Sequence, residues 1–294
     1  MRFSSPSLPA LLFAASTQVH LSNAWGSMAH KAVAFVAQNF VTSETESWAQ
    51  DILGSTATDY LASVASWADT WKYTSAGTWS KAAHYIDAND DPLNDVCNVN
   101  YPRDCGDLCI INAIANYTAR VQESSLSDTE VANSLKFIIH YIGDLHQPLH
   151  VENYETGGNG IDVTFDGDST NLHSVWDSDI AEKIAGGSSE TISKTWAATL
   201  TTAIKSGTYS SSKSSWLDDA DINDANATAM AWAEDSNSYD CTYVFADGLD
   251  YIESEDLSGD YYNEVDDAVK ELVAKAGYRL AAWLNLIATG ETGL

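Results

Sequence analysis

Positive charge is scarce in this sequence. Lysine and arginine total 14 against 42 aspartates and glutamates, a formal net charge of −28. A basic stripe of the kind that follows a nucleic-acid backbone cannot be assembled from so few cations. Taken alone, that argues against a polyanionic substrate. However, an acidic surface suits an acidic medium, and bound metal ions can invert the charge of a site locally. The charge excess therefore does not decide the partner. Long apolar runs are also missing. The only candidate, Leu8–Ala15, is too short to span a bilayer. With Arg2 before it and Ser22-Asn23-Ala24 after it, Met1–Ala24 reads as a secretory signal. Cleavage there would make Trp25 the first residue of a secreted chain. No Pro-, Gly- or Ser-rich linker divides the remainder, so 25–294 is expected to be one domain. Cysteine is limited to Cys97, Cys105, Cys109 and Cys241. In a secreted chain four cysteines suggest two disulfides, and three pairings are open. The short Cys105–Cys109 loop leaves Cys97 with Cys241. Asn116-Tyr-Thr and Asn226-Ala-Thr are glycosylation acceptors suited to the same compartment.

What is abundant is helical periodicity. Met28–Phe40, Ser43–Leu53, Asp59–Trp71, Ile110–Val121 and Ser189–Lys205 repeat apolar residues at helical spacing. A short helix is expected over Thr228–Asn237, and a long one over Tyr261–Ala288 with Gly290 past its end. Ala88–Asp107 and Ser206–Ala225 read as loops. Asn153–Asn171 is the one non-helical insert, where Ile161, Val163 and Phe165 alternate as a short strand does. The fold class is all-α with a small β-hairpin excursion.

Histidine is rare too, with seven in the chain, and its placement is not random. The stretch Lys136–His150, KFIIHYIGDLHQPLH, is apolar on nearly every side, which marks a buried helix starting near Ser127. It nevertheless carries His140, Asp144, His146 and His150. His140 and Asp144 are four apart and so share a helix face. Pro148 should end the helix near His146 and bring His150 back on the following loop. One buried His–Asp pair is most simply a core histidine bonded to an acid. A second pair of the same spacing, His173 and Asp177 in NLHSVWDSD, favours a metal. His30, Asp69 and His84 extend the candidate set. Five imidazoles and three carboxylates suit zinc. His146 is left without a role, facing solvent or lying behind the ligands.

The ordered run WGxxxH, SWAD, HxID, HxIGDxHQPLH, GGNGI and NLHxxWD extends over nearly all of the chain after Ala24. It closely resembles the secreted fungal zinc-dependent single-strand-specific nucleases of the S-one/P-one type, which share a superfamily with bacterial zinc phospholipase C. The resemblance implies three zinc ions. Asp69, His84, His140 and Asp144 would hold the first, and His150, His173 and Asp177 the second. The α-amine and carbonyl of Trp25, with His30, would hold the third, bridged by Asp144. Three zinc ions outweigh the three ligand carboxylates, so the site would be locally positive in an acidic protein. Among the residues assigned to catalysis, Asp69 and Asp144 hold metal and Lys72 contacts a phosphate oxygen. The resemblance also implies a base pocket. Tyr85, where relatives often carry Phe, would stack on the base; Asp87 and Asn159 would read its edge; Gly157 and Gly158 would let backbone approach. Expected substrates are single-stranded DNA and RNA and 3′-nucleotides, cleaved by a monomer with no membrane partner. A phospholipase C and a non-catalytic zinc-binding protein are the alternatives.

Overall fold

The computed structural model describes residues 25–294; the expected leader Met1–Ala24 lies outside them. The chain runs through α1 (Ser27–Gln38), α2 (Ser43–Leu53), α3 (Trp67–Trp71), α4 (Tyr101–Asp104), α5 (Ile110–Val121) and α6 (Asp128–Asp144). A hairpin of β1 (Asp162–Phe165) and β2 (Asp168–Asn171) follows. Then come α7 (Leu172–Ser174), α8 (Ile180–Ala185), α9 (Glu190–Ser206), α10 (Ala225–Tyr239), α11 (Leu249–Ser254) and α12 (Asp260–Thr289). The two strands pair antiparallel, from Asp162 opposite Asn171 to Phe165 opposite Asp168. The all-α class with one small hairpin is what the periodicity predicted.

The core is organised around α6 and α12. A reciprocal cap starts α6: Ser127 accepts from the Glu130 N–H, and Glu130 accepts from the Ser127 N–H. From Ser134 on, every residue of α6 except Lys136 is buried. α12 lays Val269, Leu272, Val273, Leu280, Trp283 and Leu284 into the core, each fully or almost fully buried. It crosses α1 at Gly277, where a Cβ would come within 2.5 Å of the Val36 side chain. The two helices can approach this closely only because glycine leaves the contact bare.

Three expected elements differ in form. Asp59–Trp71 is not one helix but a 3₁₀ turn at Ala62–Val64 followed by α3. The Ala65 carbonyl, which a continuous helix would pair with the Asp69 N–H, instead accepts from Nδ1 of His140 at 2.7 Å. α6 ends at Asp144 rather than near His146, and tighter turns, His146 N–H to Gly143 O and Gln147 N–H to Asp144 O, carry the chain into Pro148. α10 begins three residues earlier than Thr228 and ends two later than Asn237, because Asp224 caps it by accepting from the Ala227 N–H. Disulfides join Cys97 to Cys241 and Cys105 to Cys109. Asn116 and Asn226 are both exposed. No described helix is long and apolar enough to cross a membrane.

Candidate metal centre and cleft

Short backbone links carry the site residues to one place. The Ile86 N–H donates to His150 O at 2.9 Å and the Asn153 N–H to Ala88 O at 3.1 Å, so segments 84–88 and 150–153 run side by side. The Gly26 N–H donates to Asp177 O at 2.6 Å, which sets the first described residues against the second His–Asp pair. Trp25 is fully buried there.

Three groups of buried imidazoles and carboxylates result: His30 with His140 and Asp144; Asp69 with His84 and His140; and His150 with His173 and Asp177. Within each, the potential ligand atoms all lie within 4.8 Å of one another. Asp144 spans the first two groups. Its Oδ1 is 3.0 Å from Nε2 of His30, and its Oδ2 is 2.9 Å from Nδ1 of His84 and 3.2 Å from Nε2 of His140. The His30 and His140 rings stack with centroids 4.0 Å apart. Gly143 makes room for this, since a Cβ there would meet Nδ1 of His30 at 2.8 Å.

The ring nitrogens show what the cluster is built for. Nδ1 of His140 donates to Ala65 O, Nδ1 of His150 to His84 O (2.8 Å) and Nδ1 of His173 to Gly157 O (2.6 Å). A carbonyl can only accept, so each Nδ1 carries a hydrogen and Nε2 is the nitrogen each ring turns toward the cluster. This is the arrangement that orients metal-ligating histidines. Nε2 of His30 and of His150, Oδ1 of Asp144 and Oδ2 of Asp177 are buried without a well-aligned hydrogen bond, although Asp144 Oδ1 lies 3.0 Å from His30 Nε2 and Asp177 Oδ2 3.2 Å from His173 Nε2. Buried polar atoms of this kind are costly unless something pairs them, and a cation fits all of them. Gly157 is held at φ +59°, and a Cβ on it would lie 2.5 Å from Leu149 O, so its carbonyl reaches His173 through a shape a larger residue resists.

Electrostatics point the same way. Burial pulls His140 down, but the Asp144 and Asp69 carboxylates outweigh it and raise its pKa to about 10. Burial together with the His140 charge holds His30 below its ordinary value. Burial dominates at His84, lowering it to about 4. Asp177 stays depressed despite its burial because His173 and His150 face it. The carboxylates thus hold a positive charge on His140, the charge a bound cation would otherwise provide.

The cluster floors a cleft of about 500 Å³. Its walls include Lys72, Tyr73, Lys81, Tyr85, Asp87, Glu152, Gly157 and Asn159 beside His84, His150 and His173. Lys72 is largely buried, with Nζ 2.8 Å from Oδ1 of Asp69. Tyr85 is 39% exposed and opens onto the cleft. Asp87 is pushed up by burial and by Asp104. Asn159 donates to Thr156 O at 2.9 Å. Gly158 lies behind the wall, packed against Leu149 and the His173 backbone.

The family model described as S1/P1 Nuclease matches residues 25–289. The chain belongs to the S1/P1 nuclease family. Over 285 residues, covering 97% of this chain and 99% of the relative, it is 54% identical to Nuclease S1 of Aspergillus oryzae. It is 48% identical to Nuclease P1 of Penicillium citrinum over 91% of this chain and 99% of that one. Endonuclease 4 of Arabidopsis thaliana is 32% identical over 90% and 89%.

Three residues of this nuclease's site escaped the sequence reading. Gln147, fully buried, donates from Nε2 to Oδ1 of Asp177 at 2.5 Å and accepts from the Leu149 N–H through Oε1, so it orients the Asp177 carboxylate from behind. Its position between His146 and Pro148 was the available signal. Tyr73 and Lys81 stand at the cleft mouth, the Lys81 ammonium 5.4 Å from the tyrosine ring. The scarcity of cations was the signal for Lys81. His146 neither faces solvent nor touches the cluster. It is fully buried, donating to Ile142 O at 2.7 Å and accepting from Arg279 at 3.0 Å. Burial and the Arg279 charge push its pKa down to about 3.

Proposed function

We propose that this nuclease is a secreted, zinc-dependent endonuclease. It hydrolyses phosphodiester bonds of single-stranded DNA and RNA to 5′-phosphorylated products and also acts on 3′-nucleotides. The observation that carries this reading is the buried cluster beneath the cleft: three imidazole–carboxylate groups in which backbone carbonyls orient His140, His150 and His173, and Nε2 of His30, His84 and His150 lacks a hydrogen-bond partner.

Three groups suggest three ions. Asp69, His84, His140 and Asp144 would hold one; His150, His173 and Asp177 a second; Trp25, through its α-amine and carbonyl, and His30 a third shared with Asp144. Bound zinc supplies a water of pKa near ~7 and positive charge for phosphoryl oxygens. The chain supplies the rest. Lys72, held by Asp69 at the cleft wall, is placed to bind a non-bridging phosphate oxygen. Tyr85 offers an exposed ring on which a base can stack, worth ~1–3 kcal/mol per base and tolerant of sequence. Asp87 accepts from the base edge, Asn159 supplies the opposite wall, and the turn at Gly157 lets backbone approach the ring, with Gly158 packed behind it. A base seated between these residues cannot remain stacked in a duplex, so paired substrate carries an unpairing cost of a few kcal/mol. The substrate's phosphates are drawn to the metal-rich floor and to Lys72 and Lys81, which removes the need for a basic surface.

Digestion of single-stranded DNA, duplex DNA, a 3′-nucleotide and phosphatidylcholine, beside zinc content by mass spectrometry, tests the reading. Rapid cleavage of single strands with zinc bound is expected. Turnover of phosphatidylcholine alone would assign a phospholipase instead. Full zinc occupancy with no hydrolysis would reduce the protein to a zinc binder.

A further inference from the structure

Exposed aromatic side chains are confined to one stretch of this chain. Among the described residues they are Tyr73, at 47%, Trp79, at 50%, and Tyr85, at 39%. All three lie between Asp69 and Asp87. No other carboxylate stands between those two aspartates, while Lys72 and Lys81 do. In a chain of net charge −28, this stretch is therefore locally basic. Lys72 and Tyr85 belong to the pocket already described. Lys81 stands at its mouth, and Trp79 lies outside its walls.

Trp79 is firmly seated despite its exposure. Its ring packs against Phe137, with centroids 5.8 Å apart, and Tyr117, at 6.5 Å. Because packing already fixes the ring, a base that stacks on it costs little ordering of the protein. An indole left half in water also forgoes part of the stabilisation that burial supplies, and a stacked base would restore it. Trp79 and Lys81 share the 3₁₀ turn Thr78–His84. At the 3₁₀ rise, Trp79 lies roughly 10 Å along the turn from His84. The turn ends on Tyr85, so the rings of Trp79 and Tyr85 bracket Lys81 along the chain. The Lys81 ammonium is held 5.4 Å from the centre of the Tyr73 ring.

We propose that Trp79 and Lys81 form a second nucleotide subsite for single-stranded nucleic acid, outside the base pocket and beside the mouth of the cleft. The proposal rests on the nuclease reading above. The Trp79 ring stacks on a base flanking the one held at Tyr85, and the Lys81 ammonium takes the phosphate between them. Rings interleaved with ammonium groups match an unpaired strand, in which every base has a π face and every linkage a charge. A duplex keeps its bases stacked on one another and offers Trp79 none, so the subsite adds to the preference for single strands. It reads strand length and not sequence, because a mononucleotide fills only the pocket at Tyr85. A second copy of this chain is the other occupant an exposed aromatic face suggests, and repulsion between two strongly acidic molecules opposes it.

The experiment compares zinc-loaded protein on single-stranded oligothymidylate and on thymidine 3′-monophosphate, with kcat and KM measured separately. Wild type should have the lower KM on the oligonucleotide. Trp79→Ala should lower the ratio of kcat/KM for the oligonucleotide to that for the mononucleotide about tenfold, through KM, and Trp79→Phe should restore most of it. Lys81→Gln should flatten the dependence of log KM for the oligonucleotide on log salt concentration by about 0.7, the share of one phosphate contact on a single strand. Should Trp79→Ala not fold, the slope of Lys81→Gln, changed at an exposed side chain, decides. An unchanged ratio in Trp79→Ala overturns the proposal, since lost packing against Phe137 lowers both substrates together. An unchanged salt slope in Lys81→Gln overturns it too. A wild-type dimer in sedimentation that Trp79→Ala dissolves assigns the face to a second copy and overturns it as well. Wild type that cleaves neither substrate overturns the nuclease reading; wild type that cleaves both with equal KM overturns the subsite alone.

Discussion

At the scale of single residues, the second partner of each imidazole separates functional from structural histidine. His140 and His146 lie six positions apart on and just past the same buried helix. His140 gives Nδ1–H to Ala65 O and turns Nε2 to the carboxylates, while both nitrogens of His146 are consumed by Ile142 O and Arg279. Two predictions belong here. Lys72→Ala should lower kcat on single-stranded DNA by about 10²-fold, the usual loss for one charged donor at a phosphoryl oxygen, with the circular dichroism spectrum and zinc content unchanged. An unchanged kcat would make Lys72 only a partner of Asp69. The second concerns protons. His140 is raised to about 10 by Asp144 and Asp69, so in metal-free protein it stays protonated through neutral pH. A raised histidine stabilises the fold below its unfolded pKa near ~6.5 and loses that contribution as pH climbs through the folded value. A metal that takes Nε2 must expel the proton, so zinc affinity should rise with pH. Calorimetry of zinc added to chelated protein at pH 7 should show heats that scale with buffer ionisation enthalpy; heats independent of buffer would refute it.

At the scale of elements, the apolar stripes of α5, α6, α9 and α12 were legible because each alternates with the helical period over three turns or more. The break between Ala62 and Trp67 was not, because it depends on a carbonyl turned toward a histidine 75 positions away. The six-residue α11 was missed for want of enough periods to count. Helix contacts also explain one oddity in α12. Glycine in a helix interior costs about 1 kcal/mol relative to alanine, so Gly277 looks like a defect. Its Cβ would strike Val36, and backbone O of Val33 at 2.9 Å leaves no room to yield. Gly277→Ala should therefore destabilise by about 2 kcal/mol, the overpacking penalty exceeding the propensity gain. Chemical denaturation checks the sign; a stabilised variant would mean that α1 and α12 separate freely.

At the scale of the whole molecule, the site is assembled from the first described residues, the α3 region, the 84–88 segment, the end of α6 and the helix after the hairpin. Its integrity therefore depends on long-range closure. The Cys97–Cys241 bridge closes a separation of 144 residues and anchors the loop that flanks Asp87. Replacing both cysteines by serine should cost about 4 kcal/mol and lower Tm by roughly 10 °C. A scan of the oxidised double variant against wild type measures it. Chain closure matters at the other end too. Gly26 is pinned to Asp177 O, and the proposed ligand role of Trp25 needs a free α-amine. One extra residue before Trp25 converts that nitrogen to an amide, so most activity and one of three zinc ions should be lost. Full activity with three zinc ions in that variant would exclude the amine as a ligand.

The sequence by itself determined the helical class and which histidines and aspartates were worth following, because period and spacing are properties of the chain alone. Only the tertiary structure decided which imidazole nitrogen faces inward, which cysteines pair, and that Gln147 braces Asp177. Those outcomes depend on the partner each polar atom finds once water is excluded, and that partner comes from segments tens of residues or more away in sequence.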